Sequence, residues 1–67
     1  MKIGELAKQT GESTATLRYW LKEGLITCAQ RTESGYQLFD KTMITRAKQI
    51  RKLQEKRLTI AEIREKL

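Results

Sequence analysis

The chain has 67 residues and a formal net charge of +6, from 14 Lys and Arg against 8 Asp and Glu. A chain of this length forms at most one small domain, and such domains bury only about 60% of the surface that their unfolded chains expose, so a deep catalytic cleft is not expected. The basic excess indicates a polyanionic partner, either nucleic acid or an anionic membrane surface.

Several kinds of chemistry lack the residues that they need. The chain has no His, the usual imidazole base and commonest metal ligand, and its single Cys28 cannot form an intrachain disulfide. Its apolar runs are too short for a membrane span or a signal peptide. We therefore predict no enzyme activity, no cofactor, no metal site and no membrane contact. The lack of disulfides favours a reducing cytoplasm. We interpret Cys28 as a small half-buried apolar residue rather than a reactive thiol.

The first 23 residues predict two helices joined by a tight turn. Apolar residues recur at helical spacing in residues 3–9, and Gly11 can end that helix in the left-handed conformation. Ser13 is suited to cap a second helix over residues 14–23. This order is the layout of a helix-turn-helix over residues 3–23.

The second predicted helix has an apolar side and a polar side. Leu17, Trp20 and Leu21 are expected in the core, and the side chains that project from the opposite side are Ala15, Arg18, Tyr19 and Lys22. A helix fits the major groove of DNA, and the short side chains at its start, Thr14, Ala15 and Thr16, can approach base edges. The basic residues and the Tyr19 hydroxyl suit phosphates, although an ordinary solvated face is the alternative.

Residues 25–39 predict a β-hairpin, the wing of a winged helix. We expect residues 25–28 to form its first strand, residues 33–35 its turn and residues 36–39 its returning strand. Arg31 and Tyr36 flank the polar tip and can contact a DNA backbone or enter a minor groove. Strand alternation leaves open whether Tyr36 is a surface or a core residue.

Two further helices are predicted after the hairpin. Asp40 can cap a helix over residues 41–56, and Thr59 with Glu62 forms a capping box that begins a helix over residues 60–67. Residues 1–67 are therefore expected to form a single, mainly α domain. It is a winged helix-turn-helix with a short two-stranded β-hairpin wing and a second, C-terminal helix pair.

All of the net charge lies in one segment. Residues 1–40 are neutral overall, whereas residues 41–57 hold seven basic side chains and one acidic one. Lys48, Lys52 and Lys56 form a stripe at helical spacing. This stripe is either a solvated face or a surface for phosphates or an acidic protein, and the possible secondary phosphate contacts are Lys41, Lys48 and Lys52.

The chain resembles one known family in the order and spacing of its residues. The matching residues are Ile3-Gly4-Glu5-Leu6-Ala7, Thr10-Gly11, Thr16-Leu17-Arg18-Tyr19-Trp20, Gly24-Leu25-Ile26, Arg31, Gly35-Tyr36, Ile50, Leu53 and Thr59-Ile60-x-Glu62-Ile63. Together they resemble the DNA-binding domain of the MerR family of bacterial regulators, over essentially the whole chain. The resemblance implies that Arg18 and Tyr19 hold the DNA backbone, that the start of the second helix reads bases, and that Arg31 and Tyr36 serve the wing.

The chain departs from the pattern of that family at four places. Glu12 stands where an apolar residue is common, and Trp20-Leu21 where Tyr-Glu is usual. Gln37 replaces a common Arg, which implies a neutral hydrogen bond in place of one wing phosphate contact. Residues 56–58 replace a usual Gly-aromatic pair and add charge at the corner between the last two helices.

These observations, together with the resemblance, predict a sequence-specific regulator of transcription that binds double-stranded DNA. It would act in the bacterial cytoplasm, associated with the nucleoid. The predicted DNA-binding residues are Ser13, Thr14, Ala15, Thr16, Arg18, Tyr19, Lys22, Arg31, Tyr36 and Gln37. An excisionase-like factor that bends DNA for recombination is the alternative, and a module that binds an acidic protein is a third possibility. A native chain that extends past Leu67 would favour a homodimeric regulator, and one that stops there would favour the recombination factor, acting as a monomer or a cooperative array.

Overall fold

The computed structural model describes all 67 residues, which form four helices and one hairpin. In chain order the elements are α1 (Ile3–Thr10), α2 (Thr14–Lys22), β1 (Gln30–Arg31), β2 (Gln37–Leu38), α3 (Thr42–Glu55) and α4 (Ile60–Lys66). Helix α1 packs against both α2 and α3, and α3 packs against α4. The predicted fold class, a mainly α winged helix-turn-helix with a second helix pair, is confirmed.

Local hydrogen bonds define the helix-turn-helix as predicted. Gly11 adopts the left-handed conformation at φ 77°, and its N–H donates to the carbonyl of Ala7 at 2.8 Å. The hydroxyl of Ser13 accepts the backbone N–H of Thr16 at 3.1 Å and so caps α2. The chain therefore leaves α1 and enters α2 within three residues.

The predicted first strand at residues 25–28 is wrong. Leu25 and Ile26 are buried in the core, because Gly24 takes a left-handed conformation and the N–H of Leu25 bonds to the carbonyl of Trp20 at 2.9 Å. This bond turns the chain inward directly after α2. The first strand lies further on, where Gln30 and Arg31 pair with Leu38 and Gln37 in antiparallel register.

The predicted turn of the hairpin is confirmed. The N–H of Gly35 donates to the carbonyl of Thr32 at 2.9 Å, and the N–H of Thr32 donates to the carbonyl of Tyr36 at 2.8 Å. Gly35 has φ 87°, which favours a residue without a Cβ. The backbone of Met1 also exchanges hydrogen bonds with Phe39 in both directions, each 2.7 Å long, so the N-terminus lies beside the end of the hairpin.

The caps of the last two helices are those that the sequence predicts. The N-cap residue of α3, Lys41, makes no side-chain cap bond, but the carboxylate of the preceding Asp40 accepts the N–H of Thr42 at 2.9 Å. Thr59 and Glu62 form the capping box of α4, with both hydrogen bonds 3.2 Å long. Both helices begin and end within one residue of their predicted bounds.

The core takes residues from all four helices and from the segments on either side of the hairpin strands. The buried residues are Leu6, Leu17, Trp20, Leu25, Ile26, Phe39, Ala47, Ile50 and Ile63. The core assignment of Trp20 is confirmed, whereas Leu21 is half-buried at its edge. Cys28 is half-buried, as predicted. No helix combines the length and the apolar character needed to cross a bilayer.

Candidate nucleic-acid interface

Helix α2 presents one continuous exposed stripe. Its members lie at the i, i+3, i+4 and i+7 positions of one helix face, and they are Ala15, Arg18, Tyr19 and Lys22. Tyr19 is 48% exposed, whereas Leu17 and Trp20 on the opposite side are fully buried. The core therefore holds α2 by its apolar side and leaves the predicted DNA-reading face free.

The hydroxyl groups at the start of α2 are organised around the cap. Ser13 is exposed, and its hydroxyl donates to the hydroxyl of Thr16 at 2.9 Å while accepting the N–H of the same residue. Thr16 keeps its own hydroxyl proton available for an outside acceptor. Thr14 and Thr16 are half-buried and flank the exposed Ala15, so Ala15 is the most accessible of these three residues at the start of the helix.

A groove joins α2 to the wing and brings together four of the predicted site residues. The residues that line it are Ile3, Arg18, Arg31, Gly35, Tyr36 and Gln37. Its two charged residues are both Arg, one from the helix and one from the wing, so the groove is positively charged. Tyr36 is 57% exposed, which contradicts the alternative that placed this ring in the core.

Lys2 belongs to the same region, although it is not among the site residues that the sequence predicts. Its Nζ lies 4.2 Å from the centroid of the Tyr36 ring, a cation–π contact that places another positive charge at the wing. The backbone hydrogen bonds between Met1 and Phe39 hold Lys2 at this position. They join residues 38 apart in sequence, so no local pattern around Lys2 could have revealed the contact.

The side chain of Gln37 is held by a contact with Cys28. It is half-buried, and its side-chain amide donates a weak hydrogen bond to the sulfur of Cys28 at 3.9 Å. Gln37 therefore contributes a neutral donor, and no charge, to the lining of the groove. No three His, Cys, Asp or Glu side chains come together in a group that could hold a metal ion.

The predicted secondary phosphate contacts lie apart from this groove. Lys41 is exposed in a separate depression beside Met1, Glu5 and Asp40. Lys48 and Lys52 are exposed along another groove, between α3 and the turn that precedes α2. The structure therefore does not bring these three lysines together with Arg18 and Arg31.

Two basic residues of α3 make internal contacts instead of forming a free charged face. The Nε of Arg46 donates to the carbonyl of Leu25 at 2.9 Å, and Arg51 forms an ion pair with Glu12. Arg46 therefore supports the segment that turns inward after α2. The charge excess of residues 41–57 overstates the positive charge that is available to a partner.

The exposed face of α2, the wing beside it and the basic groove between them define a winged helix-turn-helix of the nucleic-acid-binding type. The family model described as MerR HTH family regulatory protein matches residues 1–67. The chain belongs to the MerR family.

Relatives and a solved structure agree with this assignment. The chain is 38% identical over 63 residues to nodulation protein NolA of Bradyrhizobium elkanii, covering 94% of the chain and 29% of the relative. It is 39% identical over 62 residues to the mercuric resistance operon regulatory protein of Bacillus cereus, covering 92% and 47%. The crystal structure of the transcription regulator PbrR691 from Ralstonia metallidurans CH34, in complex with lead(II), superimposes with a TM-score of 0.87 at 35% identity, covering 97% of this chain and 51% of that one. The chain thus spans between 29% and 51% of the length of these three proteins, and none of them supports the excisionase-like alternative.

Proposed function

We propose that residues 1–67 act as one domain that binds a specific sequence in double-stranded DNA and regulates transcription in the bacterial cytoplasm. The observation that carries this proposal is the groove in which Arg18 of the exposed α2 face and Arg31 of the wing converge. A helix in the major groove and a wing on the neighbouring backbone need adjacent, outward-facing surfaces of this kind. The proposal assigns the domain a binding role and no catalytic one.

Helix α2 supplies the base contacts in this proposal. Its start enters the major groove, where Ala15 can contact a thymine methyl and the hydroxyls of Thr14 and Thr16 can contact base edges. Ser13 adds a hydroxyl at the entry of the helix. Arg18, Tyr19 and Lys22 follow on the exposed stripe and hold phosphates, which fixes the register of the helix in the groove.

The wing supplies contacts to the flanking backbone. Arg31 and Tyr36 contact phosphates, Lys2 adds its charge beside the Tyr36 ring, and Gln37 donates a neutral hydrogen bond. The exposed Lys41, Lys48 and Lys52 lie further away and contribute mainly a field that attracts DNA of any sequence.

We propose a homodimer on DNA for a chain that continues past Leu67, and a monomer or a cooperative array for one that ends there. In a dimer, each copy would read one half of a two-fold symmetric site. No membrane partner is proposed.

Selection from a random duplex pool tests the proposal. Duplexes retained by the 67-residue chain are sequenced, and the affinity for the enriched duplex is compared with that for a scrambled one over a salt series. Enrichment of a common sequence is the expected result. Retention without enrichment, or equal affinity for both duplexes at every salt concentration, would contradict sequence-specific binding.

Four variants separate the proposed roles. Arg18→Ala and Tyr19→Ala should weaken binding to the enriched duplex by about tenfold, since each removes a positioning contact worth about 1.4 kcal/mol. Thr14→Ala should change which sequence is enriched. Lys52→Ala should mainly lower the salt dependence, by about one unit of slope or less. If Arg18→Ala and Tyr19→Ala bind as the unmodified chain does, the assignment of α2 is wrong.

A further inference from the structure

Glu12, in the turn before α2, is bonded to a residue of α3. The Nε of Arg51 donates to one carboxylate oxygen of Glu12 at 2.9 Å, and its Nη2 donates to the other. The two residues are 39 positions apart in sequence. The Glu12 side chain is only 10% exposed, whereas that of Arg51 is 47% exposed. A bidentate ion pair with a nearly buried carboxylate fixes the orientation of both side chains, which most surface ion pairs do not.

Arg51 also contacts α2 itself. The carbon of its guanidinium lies 5.8 Å from the centroid of the Trp20 ring, which is fully buried. One side chain of α3 therefore contacts both the turn that starts α2 and the large aromatic residue that anchors its apolar side. Through these two contacts, Arg51 links the start of α2 and its buried side to α3.

Glu12 lies next to the end of α2 that we assign to DNA binding, so its ion pair with Arg51 affects that end of the helix. Glu12 directly precedes Ser13, the N-cap of α2, and its N–H donates to the hydroxyl of Thr10 at 3.3 Å. A shift of Glu12 therefore moves the end of the helix that we assign to base reading. A free carboxylate at this place would also repel phosphates, and Arg51 holds it in the turn and neutralises it.

We propose that Glu12 and Arg51 are positioning residues, whose ion pair sets the start of α2 and thereby the ability of the domain to distinguish one DNA sequence from another. Neither residue contacts bases in this proposal. It rests on the proposed function, and it adds a specificity determinant that lies outside the exposed faces of α2 and the wing.

Glu12→Met tests the proposal, because the change in charge alone leaves the ratio of the two affinities unchanged, whereas loss of positioning lowers it. The substitution raises the net charge by one, so electrostatics alone predicts tighter binding to every duplex. Loss of positioning predicts that the ratio of affinities for enriched and scrambled duplex falls, by about tenfold if the pair contributes about 1.4 kcal/mol to discrimination. Glu65→Met is the matched control, since it makes the same charge change at an exposed position of α4. This control should keep the ratio.

Three more variants complete the test. Arg51→Met should lower the ratio, whereas Lys52→Met, which removes the same charge from the next residue of α3, should weaken binding to both duplexes equally. The double reversal Glu12→Arg with Arg51→Glu keeps the net charge and should restore part of the ratio. Unfolding followed by Trp20 fluorescence shows whether each variant is folded at the temperature of the binding assay.

Each outcome decides the proposal. An unchanged ratio in folded Glu12→Met, or an equal gain in affinity for both duplexes as in Glu65→Met, would overturn it and leave the proposed function intact. If Glu12→Met does not unfold cooperatively, Glu12→Gln, which keeps the size of the side chain, is measured in its place, and an unchanged ratio there overturns the proposal. Absence of discrimination in the unmodified chain would overturn both the proposed function and this inference.

Discussion

The guanidinium of Arg64 in α4 donates two hydrogen bonds, of 2.7 and 3.1 Å, to the backbone carbonyl of Glu23, the residue directly after α2. It also contacts the carboxylate of Glu23 at 3.2 Å. The C-terminal end of a helix carries unpaired carbonyls and partial negative charge, so a cation is favourable there. Helix α2 is thus capped by its own Ser13 at one end and by a residue of another helix at the other.

Arg64→Met should lower the free energy of unfolding by about 1 kcal/mol. Charge-assisted hydrogen bonds contribute about 1.5–3 kcal/mol, and the half-exposed position of Arg64 reduces that contribution. Urea unfolding followed by the fluorescence of Trp20, the single and fully buried tryptophan, measures the change. Lys66→Met, which removes an exposed charge from the same helix, is the control, and equal unfolding midpoints for the two variants would contradict the capping role.

Arg57→Gly should stabilise the domain by about 0.5–1 kcal/mol. Arg57 lies between α3 and α4 with φ 60°, the one non-glycine residue with positive φ in the chain. The left-handed conformation costs a residue with a Cβ about 1–2 kcal/mol, and the greater freedom of glycine in the unfolded chain offsets part of the gain. Thermal unfolding measures the effect. Arg57→Val is the opposite test, because a β-branched residue is least suited to this conformation, and a Val variant as stable as the Gly variant would refute the explanation.

Asp40→Asn should reduce the acid sensitivity of the fold. Hydrogen bonds from the side chain and then from the backbone of Thr42 lower the pKa of the Asp40 carboxyl below its ordinary value of 3.8. A lowered pKa in the folded state contributes stability that is present above the pKa of the unfolded chain and is lost as the pH falls through that of the folded one. We therefore expect the unmodified chain to lose stability below about pH 4, and the Asn variant to lose less.

Unfolding curves recorded from about pH 6 to about pH 2 test this expectation. Glu33→Gln, which removes an exposed carboxylate at the tip of the wing, serves as the control. The Asp40→Asn variant should already be less stable near neutral pH, because it loses the charged form of the cap. Parallel pH profiles for the Asn variant and the unmodified chain would contradict the assignment.

Lys2→Met should weaken DNA binding more than a substitution of another exposed lysine of the N-terminal region. The contact of its Nζ with the Tyr36 ring places this charge at the wing, where we propose a DNA backbone. Loss of one phosphate contact should lower the slope of log affinity against log salt by about one unit, with little change in sequence preference. Lys8→Met in α1 is the control, and identical slopes for the two variants would remove Lys2 from the interface.

Most of the local structure follows from short stretches of the sequence. The cap of α2 by Ser13, the left-handed Gly11 and the capping box of Thr59 each depend on hydrogen bonds between residues three or four apart. Helical periodicity also identified Trp20 as a core residue, because the side of a helix that carries the large apolar groups faces the core. The exposed face of α2, and with it half of the candidate interface, was predictable for the same reason.

The wing shows where such reasoning ends. Leu25 and Ile26 have the composition of a strand, yet the core that α1, α2 and α3 leave open takes both side chains, so the pairing begins further along the chain. Alternation along a short strand assigned Tyr36 to neither face, and only the packing of the hairpin left this ring exposed.

The contacts that orient the recognition elements join residues far apart in the chain. Arg51 bonds to Glu12, Arg64 bonds to Glu23 at the end of α2, and Met1 bonds to Phe39. The partners are 38 to 41 residues apart in sequence. Composition and periodicity specify which residues form helices and which helix faces are apolar, because those properties depend on neighbours within about one helical turn. Which of the 14 basic side chains remain available to DNA was decided by the tertiary structure, because each ion pair and cap depends on where the packed core places the partner.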